Sequence, residues 1–271
     1  MLTLIPTPIG NINDTTLRTL ELIESCELIL CEDTRVTKQL LKIYQDRLNL
    51  NLPNVDIISF HEHNGKERLG QIGEKLKSLN VIYMSDAGMP VISDPGQLLV
   101  EYCQNEGIEY DVLPGASVAP LIYAASGFKS GKFYFYGFLP NKGKERSEEL
   151  AKVLANGLDT IIYEAPHRIV KLVEQICSID ENRELFAAKE LTKRHQKFYK
   201  MGAKELLEKL QSDSTKGEWA VVIEGVQSNN KTLSLHDIQN LDMPPKPKAK
   251  LLAKLTGKSV KECYEELQIK S

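Results

Sequence analysis

The chain has 271 residues, 42% of them hydrophobic and 26% charged, and its formal net charge at pH 7 is −3. These values are typical of a globular protein long enough for two packed domains, and the near-neutral charge excludes a wholly basic coat for nucleic acid. The sequence has no apolar run long enough to span a bilayer, and its start lacks the basic and long apolar regions of a secretory signal. We therefore expect no membrane partner.

The five cysteines are scattered along the chain without a Cys-x-x-Cys pair. A disulfide framework or a zinc site needs paired spacings, so we expect neither. Free thiols fit a reducing compartment, and the expected location is cytoplasmic. The cysteines are Cys26, Cys31, Cys103, Cys177 and Cys263.

Short apolar strands alternate with amphipathic helices through the first half of the chain. This alternation predicts a mostly parallel α/β sheet, because parallel strands need helical crossovers. The predicted strands are 2–6, 27–31, 56–60, 81–85 and 110–113. The predicted helices between them are 15–25, 34–44, 66–79 and 97–106.

The second half opens on an aromatic segment, residues 132–138, of high β-propensity. Its strands have fewer helical crossovers between them, which predicts a mixed sheet in a second α/β domain. Further strands are predicted at 160–163, 185–189 and 219–224, with a hairpin-like segment near 197–201. Helices are predicted at 142–156, 167–177 and 203–210.

The fold class that follows is α/β with two domains, a mostly parallel N-terminal sheet and a mixed C-terminal sheet. We expect these domains at 1–126 and 127–226. A polar linker at 227–245 and a small basic helical tail at 246–271 complete the chain. Lysine-rich helices are common as solvated surface, so the role of the tail stays open.

Five loops follow the strands of the first half. In open α/β sheets, sites form at the carboxyl ends of the strands, so these loops are the candidates. The dinucleotide fingerprint G-x-G-x-x-G and the P-loop are both absent, which excludes the two common phosphate-cradling loops. The loops are TPIGN (7–11), CEDTR (31–35), HEHN (61–64), SDAGMPVISDPG (85–96) and PGAS (114–117).

The loop 85–96 has the composition of a small-molecule pocket. Asp86 and Asp94 can accept hydrogen bonds from a ligand, and Gly88 and Gly96 permit close approach of the backbone. A pair of structural turns, with Asp94 capping the next helix, is the alternative. The length and the strand-end position of the loop favour the pocket.

Charged residues in two other loops leave their roles open. His61 and His63 could ligate a metal, but no third ligand lies at a suitable offset, so no metal is predicted. Glu32, Asp33 and Arg35 form either an ion-pair cluster or a substrate contact.

Two motifs stand out in the second half. YEAPHR (163–168) places an acceptor, a titratable group and a guanidinium at a strand end. KELTKRHQKFYK (189–200) interleaves cations with aromatic rings, a pattern that suits RNA phosphates and bases. A solvated hairpin face remains the alternative for the second motif.

Eight motifs in this order resemble the ribosomal RNA small-subunit methyltransferase I family, whose fold is similar to that of the tetrapyrrole methylases. The resemblance implies two α/β domains with S-adenosyl-L-methionine in the cleft between them. It also implies 2′-O-methylation of a cytidine ribose in the decoding region of 16S rRNA, a homodimer, and no DNA partner. The motifs are IPTPIGNINDTTLR, CEDTR, SFHEHN, SDAGMPVISDPG, LPGASVAP, GFLPNKGKER, YEAPHR and KELTK.

The resemblance also implies site residues. The wider superfamily has a Gly-Asp-Pro loop where this chain has SDAGMP, which is a departure from the pattern. The implied cofactor-binding residues are Pro8, Ser85, Asp86, Ala87, Gly88, Val91, Ile92, Ser117, Val118, Tyr163, Glu164, Leu191 and Thr192.

A ribose hydroxyl becomes a good nucleophile when a base takes its proton, whereas the sulfonium methyl needs no metal to activate it. The candidate catalytic residues are Glu32, Asp33, His63, Lys189 and Glu190, with His61 and Glu164 also near the cleft. The candidate RNA-binding residues are Arg35, Arg168, Lys193 and Arg194.

Two other functions are compatible with the residues. A tetrapyrrole methyltransferase would usually carry Gly-Pro-Gly-Asp where this chain has TPIGN, and it would not need the basic stretches. A non-catalytic RNA-binding factor could keep the fold, but the uninterrupted pocket loops argue against loss of cofactor binding.

Overall fold

The computed structural model describes residues 1–61, 64–92, 96–226 and 235–269. The chain forms two compact units, Met1–Val226 and Gln227–Ser271. Within these described ranges, no helix is long and apolar enough to cross a membrane. The larger unit contains two five-stranded sheets.

The first sheet is entirely parallel, with strand order β3-β2-β4-β1-β5. Its strands are β1 (Leu2–Ile5), β2 (Leu28–Cys31), β3 (Asp56–Ser59), β4 (Val81–Met84) and β5 (Tyr110–Val112). The helices of this half are α1 (Leu17–Ser25), α2 (Thr34–Leu48), α3 (Gly65–Ser78), α4 (Gln97–Glu106) and α5 (Val118–Ser126). The predicted parallel α/β sheet is confirmed.

Strands β1, β2 and β4 are buried along their whole length because helices cover both faces of the sheet. Leu4 and Leu30 pack in one core with residues of α3 and α4. Ile5 and Ile29 point to the opposite face and pack with residues of α1 and α2. The two cores fix the strand ends in place, and these ends carry the candidate loops.

The second sheet is mixed, as predicted, with strand order β6-β7-β10-β8-β9. Only the β6–β7 pairing is parallel among its described pairings. The strands are β6 (Phe133–Phe138), β7 (Asp159–Glu164), β8 (Glu184–Lys189), β9 (Lys197–Gly202) and β10 (Trp219–Ile223). The helices are α6 (Gly143–Ala155), α7 (Ile169–Ile179) and α8 (Ala203–Ser212).

Helix α5 joins the two halves of this unit. Helices α6, α7 and α8 cover one face of the second sheet. The other face packs against α5, where Ala119 and Ile122 are buried with Ile161, Phe186 and Val222. The loops at the carboxyl ends of the first sheet are therefore held against the second sheet. The domain boundary at residue 126 stays a prediction.

The smaller unit contains three described helices, α9 (Leu235–Asn240), α10 (Pro245–Thr256) and α11 (Val260–Ile269). Helix α9 lies within the stretch expected to be a polar linker. Its Ile238 is buried with Leu252 and Cys263, so this helix packs against α10 and α11.

A buried ion pair connects α6 to the end of β7 in the second half of the larger unit. Arg146 of α6 and Glu164 at the end of β7 are each 1% exposed, and their nearest charged atoms are 2.6 Å apart. Arg146 also donates to the Gln175 side chain at 2.9 Å and to the Pro140 carbonyl at 3.1 Å. Every arm of this guanidinium has a partner, which a charge in a dry interior requires.

We expect Arg146→Ala to lower the free energy of unfolding by about 3–5 kcal/mol, because it strands buried polar groups. Urea denaturation followed by circular dichroism measures this change. Lys144→Ala is the matched control in the same helix, since it removes an exposed ion pair with Glu148 at 3.3 Å. The control should change stability by about 0.5 kcal/mol or less. Equal effects of the two variants would contradict the structural role of Arg146.

Candidate active site

A cavity of about 460 Å³ lies where α5 and the loops of the first sheet meet the second sheet. Its volume and mostly apolar lining are those of a small-molecule site. The lining residues are Ile9, Ala87, Gly88, Met89, Ile92, Ser117, Val118, Phe138, Tyr163, Glu164, Ala165, Pro166, Ala188, Leu191, Glu218, Trp219 and Ala220.

The loops after β1 and β4 are joined beneath the cavity by a two-residue antiparallel bridge. Thr7 and Gly88 exchange both backbone hydrogen bonds, each at 3.0 Å. The Ser85 hydroxyl donates to the Gly88 carbonyl at 2.7 Å. Gly88 has φ +83°, and a Cβ there would lie 3.1 Å from Ile9 Cγ2. The positive φ favours glycine at this position, and the close approach of Ile9 leaves little room for a side chain.

The loop after β4 also holds a β-branched residue in the left-handed region, Val91 with φ +74°. Such a backbone is costly and persists only where the surrounding structure fixes it, often at a binding site. The next residue, Ile92, lines the cavity although half of its surface is exposed. The strained turn thus presents an apolar side chain to the cavity.

Small residues in the wall formed by the second sheet leave space for the cavity. Ala188 of β8 and Ala220 of β10 are direct partners across the antiparallel ladder, and both line the cavity. Tyr163 and Trp219 flank them with larger rings. Burial raises the pKa of Tyr163 to about 12, so its hydroxyl stays neutral at physiological pH.

The turn after β8 carries two more residues with positive φ, Glu190 at +53° and Thr192 at +64°. Leu191 between them lines the cavity. The Thr192 hydroxyl accepts from the Asn11 backbone N–H at 3.2 Å, which connects this turn to the loop after β1. A Cβ on Gly10 would lie 2.6 Å from the same hydroxyl, so the two loops are in close contact.

Eight of the thirteen predicted cofactor-binding residues line the cavity, and the other five lie within two positions of a lining residue. The carboxylate of Asp86, one of those five, accepts from the Asp33 backbone N–H at 3.3 Å. Burial raises the pKa of Asp86 above its ordinary value. The eight that line it are Ala87, Gly88, Ile92, Ser117, Val118, Tyr163, Glu164 and Leu191. The remaining five are Pro8, Ser85, Asp86, Val91 and Thr192.

Four of the predicted catalytic residues are described, and none of these four is among the lining residues. Glu32 is half-buried. Asp33 caps α2 and pairs with Arg35, whose hydrogen bonds lower the pKa of Asp33 to about 2. His63 lies outside the described residues.

Lys189 and Glu190 lie between the lining residues Ala188 and Leu191. The amino group of Lys189 donates to the Ser214 carbonyl at 2.5 Å. Burial would raise the pKa of Glu190, but the Glu218 backbone N–H and Lys193 outweigh it and hold that pKa below its ordinary value. Glu190 is therefore ionised at neutral pH.

The predicted RNA-binding residues differ in the ion pairs that they form within the protein. Lys193 pairs with Glu218 at 2.8 Å and with Glu190 at 3.2 Å. Arg35 pairs with Asp33, Arg168 pairs with Glu164, and Arg194 is exposed.

Sequence reasoning missed nine lining residues. Most belong to the second sheet or its loops. The strand order of this sheet decides which of its residues lie side by side at the cavity. The alanines within the apolar strands LFAAK and WAVVI are the one sequence signal that could have indicated a cavity there. The missed residues are Ile9, Met89, Phe138, Ala165, Pro166, Ala188, Glu218, Trp219 and Ala220.

Two solved structures share the architecture of the larger unit. Diphthine synthase superposes with a TM-score of 0.62 at 13% identity, covering 82% of this chain and 89% of that one. The cobalamin biosynthetic enzyme cobalt precorrin-4 methyltransferase gives a TM-score of 0.58 at 14% identity, covering 82% and 94%. At such low identity the likeness shows the fold alone.

Sequence comparisons identify the family to which the chain belongs. Residues 1–207 match the family of tetrapyrrole (corrin/porphyrin) methylases. The chain is 44% identical over 271 residues to ribosomal RNA small subunit methyltransferase I of Campylobacter fetus, covering 98% of this chain and 99% of the relative. It is 42% identical over 278 residues to the protein of the same name from Helicobacter pylori, covering 97% and 96%.

These findings confirm the predicted tetrapyrrole methylase-like fold. Membership in this family, together with the relatives, confirms S-adenosylmethionine as the methyl donor. Both relatives match over nearly the whole length of the chain. The chain belongs to the ribosomal RNA small subunit methyltransferase I family, within the tetrapyrrole methylases.

Proposed function

We propose that this protein transfers a methyl group to the ribose 2′-hydroxyl of a cytidine in the decoding region of 16S rRNA. The observation that carries the proposal is the apolar cavity bounded by strand-end loops of both sheets. The relatives' name supports small-subunit rRNA as the substrate. The choice of cytidine and of the ribose oxygen follows from the resemblance of the eight motifs.

The cavity residues fit S-adenosylmethionine. Ala87, Gly88, Ala188 and Ala220 leave room for a ligand of this size, and the surrounding side chains are mainly apolar, with few polar groups. We expect Ala87, Gly88, Ser117, Val118 and Leu191 to hold it, with Pro8, Ser85, Asp86, Val91 and Thr192 shaping their loops. When bound, the cofactor supplies an electrophilic methyl group.

The protein contributes mainly by positioning. The Thr7–Gly88 bridge and the contact between Asn11 and Thr192 fix the loops on both sides of the cavity. Fixed walls of this kind hold two reactants in a productive orientation, which can contribute up to about 7–11 kcal/mol in favourable systems.

Removal of the 2′-hydroxyl proton requires a base, which typically contributes about 10²–10⁴-fold. Glu164 is unsuited to this task because both of its oxygens accept from arginines. Lys189 and Glu190 remain candidates since they lie between two lining residues. Glu190 is an ionised acceptor, whereas Lys189 could take the proton only as the neutral amine. Glu32, Asp33 and His63 remain candidates from the sequence.

The proposed partner is 16S rRNA within the small ribosomal subunit, which places the protein in the cytoplasm. Arg35, Arg168, Lys193 and Arg194 are the proposed phosphate contacts. Lys193 forms ion pairs within the protein, which reduces its contribution to phosphate binding, whereas Arg194 is exposed. A homodimer is proposed from the family resemblance.

Ala87→Trp should weaken binding of S-adenosylhomocysteine at least tenfold, because Ala87 is an exposed loop residue whose side chain borders the cavity. Titration calorimetry measures the dissociation constant. Ala125→Trp is the matched control, an exposed alanine in α5 that does not line the cavity. Unchanged affinity in Ala87→Trp, or no binding by the unaltered protein, would contradict the proposed cofactor site.

We expect the protein to transfer the labelled methyl group of S-adenosylmethionine to small ribosomal subunits lacking this modification. Nuclease digestion and mass mapping should find the label on one cytidine ribose. Naked 16S rRNA serves as the comparison, since it tests whether the assembled particle is required. A label on a base, or none on RNA, would refute the ribose assignment.

A further inference from the structure

Phe138 is an exposed aromatic residue at the edge of the cavity. It ends β6, an edge strand of the second sheet, and 56% of its surface is exposed although it lines the cavity. Its ring contacts Tyr163 edge-on, with centroids 5.5 Å apart. A phenylalanine needed only for the core would be buried, so this ring has a face available for a ligand.

A positively charged cluster is centred on Glu164, which follows Tyr163 in β7 and lines the same cavity as Phe138. Arg146 and Arg168 share one carboxylate, that of Glu164, at 2.6 and 2.7 Å. The three charges sum to +1, and the Arg168 side chain is the most exposed of them, at 17%. Arg168 also donates to the Asn141 side chain, three residues beyond Phe138, so the ring and the cation are supported by one loop.

We propose that Phe138 and Arg168 form the subsite for the target nucleotide of the RNA, with its base stacked on Phe138 and an adjacent phosphate bound by Arg168. This inference rests on the proposed function. Single-stranded RNA is typically bound by aromatic stacking and by cations on its backbone. A nucleotide that undergoes chemistry must leave its stack, and a stacking ring compensates for the lost contacts.

The charge of the cluster favours RNA over the cofactor as the occupant. S-adenosylmethionine carries a sulfonium, an ammonium and a carboxylate, so its net charge is +1 and a cluster of net charge +1 attracts it less than it attracts a phosphate. An RNA phosphate is negative and is attracted to the same cluster. Base and phosphate are attached to the same ribose, so binding both would direct that ribose to the cavity.

Phe138→Ala tests the stacking. We expect it to weaken binding of unmodified small ribosomal subunits, measured with S-adenosylhomocysteine present, about tenfold, and to raise KM for the particle similarly. The dissociation constant of S-adenosylhomocysteine alone should stay within about twofold. Phe138→Trp should restore binding, whereas Phe138→Leu, apolar but without a π face, should not.

Tyr134→Ala is the matched control. Tyr134 lies on the same edge strand and is 46% exposed, but it does not line the cavity. Its loss should leave particle binding unchanged. Arg168→Gln should weaken binding and reduce the slope of log affinity against log salt by about one, while Arg168→Lys should retain that slope.

The outcomes separate the two proposals. Weaker S-adenosylhomocysteine binding by Phe138→Ala would assign the ring to the cofactor and overturn the subsite. Unchanged particle binding and KM in Phe138→Ala would overturn it as well. If the unaltered protein methylates no RNA while Phe138→Ala still weakens particle binding, the subsite stands and the proposed reaction falls.

Discussion

The packing of α5 against the second sheet is the constraint on which the site depends. The helix follows the last strand of the first sheet, yet Ala119 and Ile122 are buried against residues of the other one. Each large apolar side chain buried in this way contributes about 1.5–3 kcal/mol. Without this contact, the loops at the ends of β1 and β4 would have no opposing wall, and the cavity would be an open sheet edge.

The cavity combines small residues in its wall with strained backbone around its rim. Ala188 and Ala220 remove volume from the centre of the wall, while Val91, Glu190 and Thr192 adopt positive φ around its rim. Left-handed backbone in such residues costs about 1–2 kcal/mol each. These strained residues are concentrated in two loops beside one cavity. Such a concentration is typical of a binding site, where a particular backbone geometry is kept although it costs stability.

The sequence was sufficient for the strands, the sheet types and the loops of the first half. Alternating apolar segments determine those features locally, and strand-end loops of a parallel sheet necessarily meet at one edge. The sequence did not indicate that Arg146 is buried, because this residue resembles any charged residue of a surface helix. Its burial arises only in the fold, where α6 covers the end of β7. Lys193 likewise resembled a free RNA contact, because the nearer in space of its two partners, Glu218 at 2.8 Å, is 25 residues away along the chain.

The single tryptophan of the chain has a practical consequence. Trp219 lines the cavity, is 3% exposed and stacks on Tyr199 with ring centroids 5.7 Å apart. Indole emission depends on the polarity and the contacts of its surroundings, and here all of it comes from one wall of the site. The protein therefore contains a built-in optical probe, by which occupancy of the cavity can be followed in solution without an attached dye.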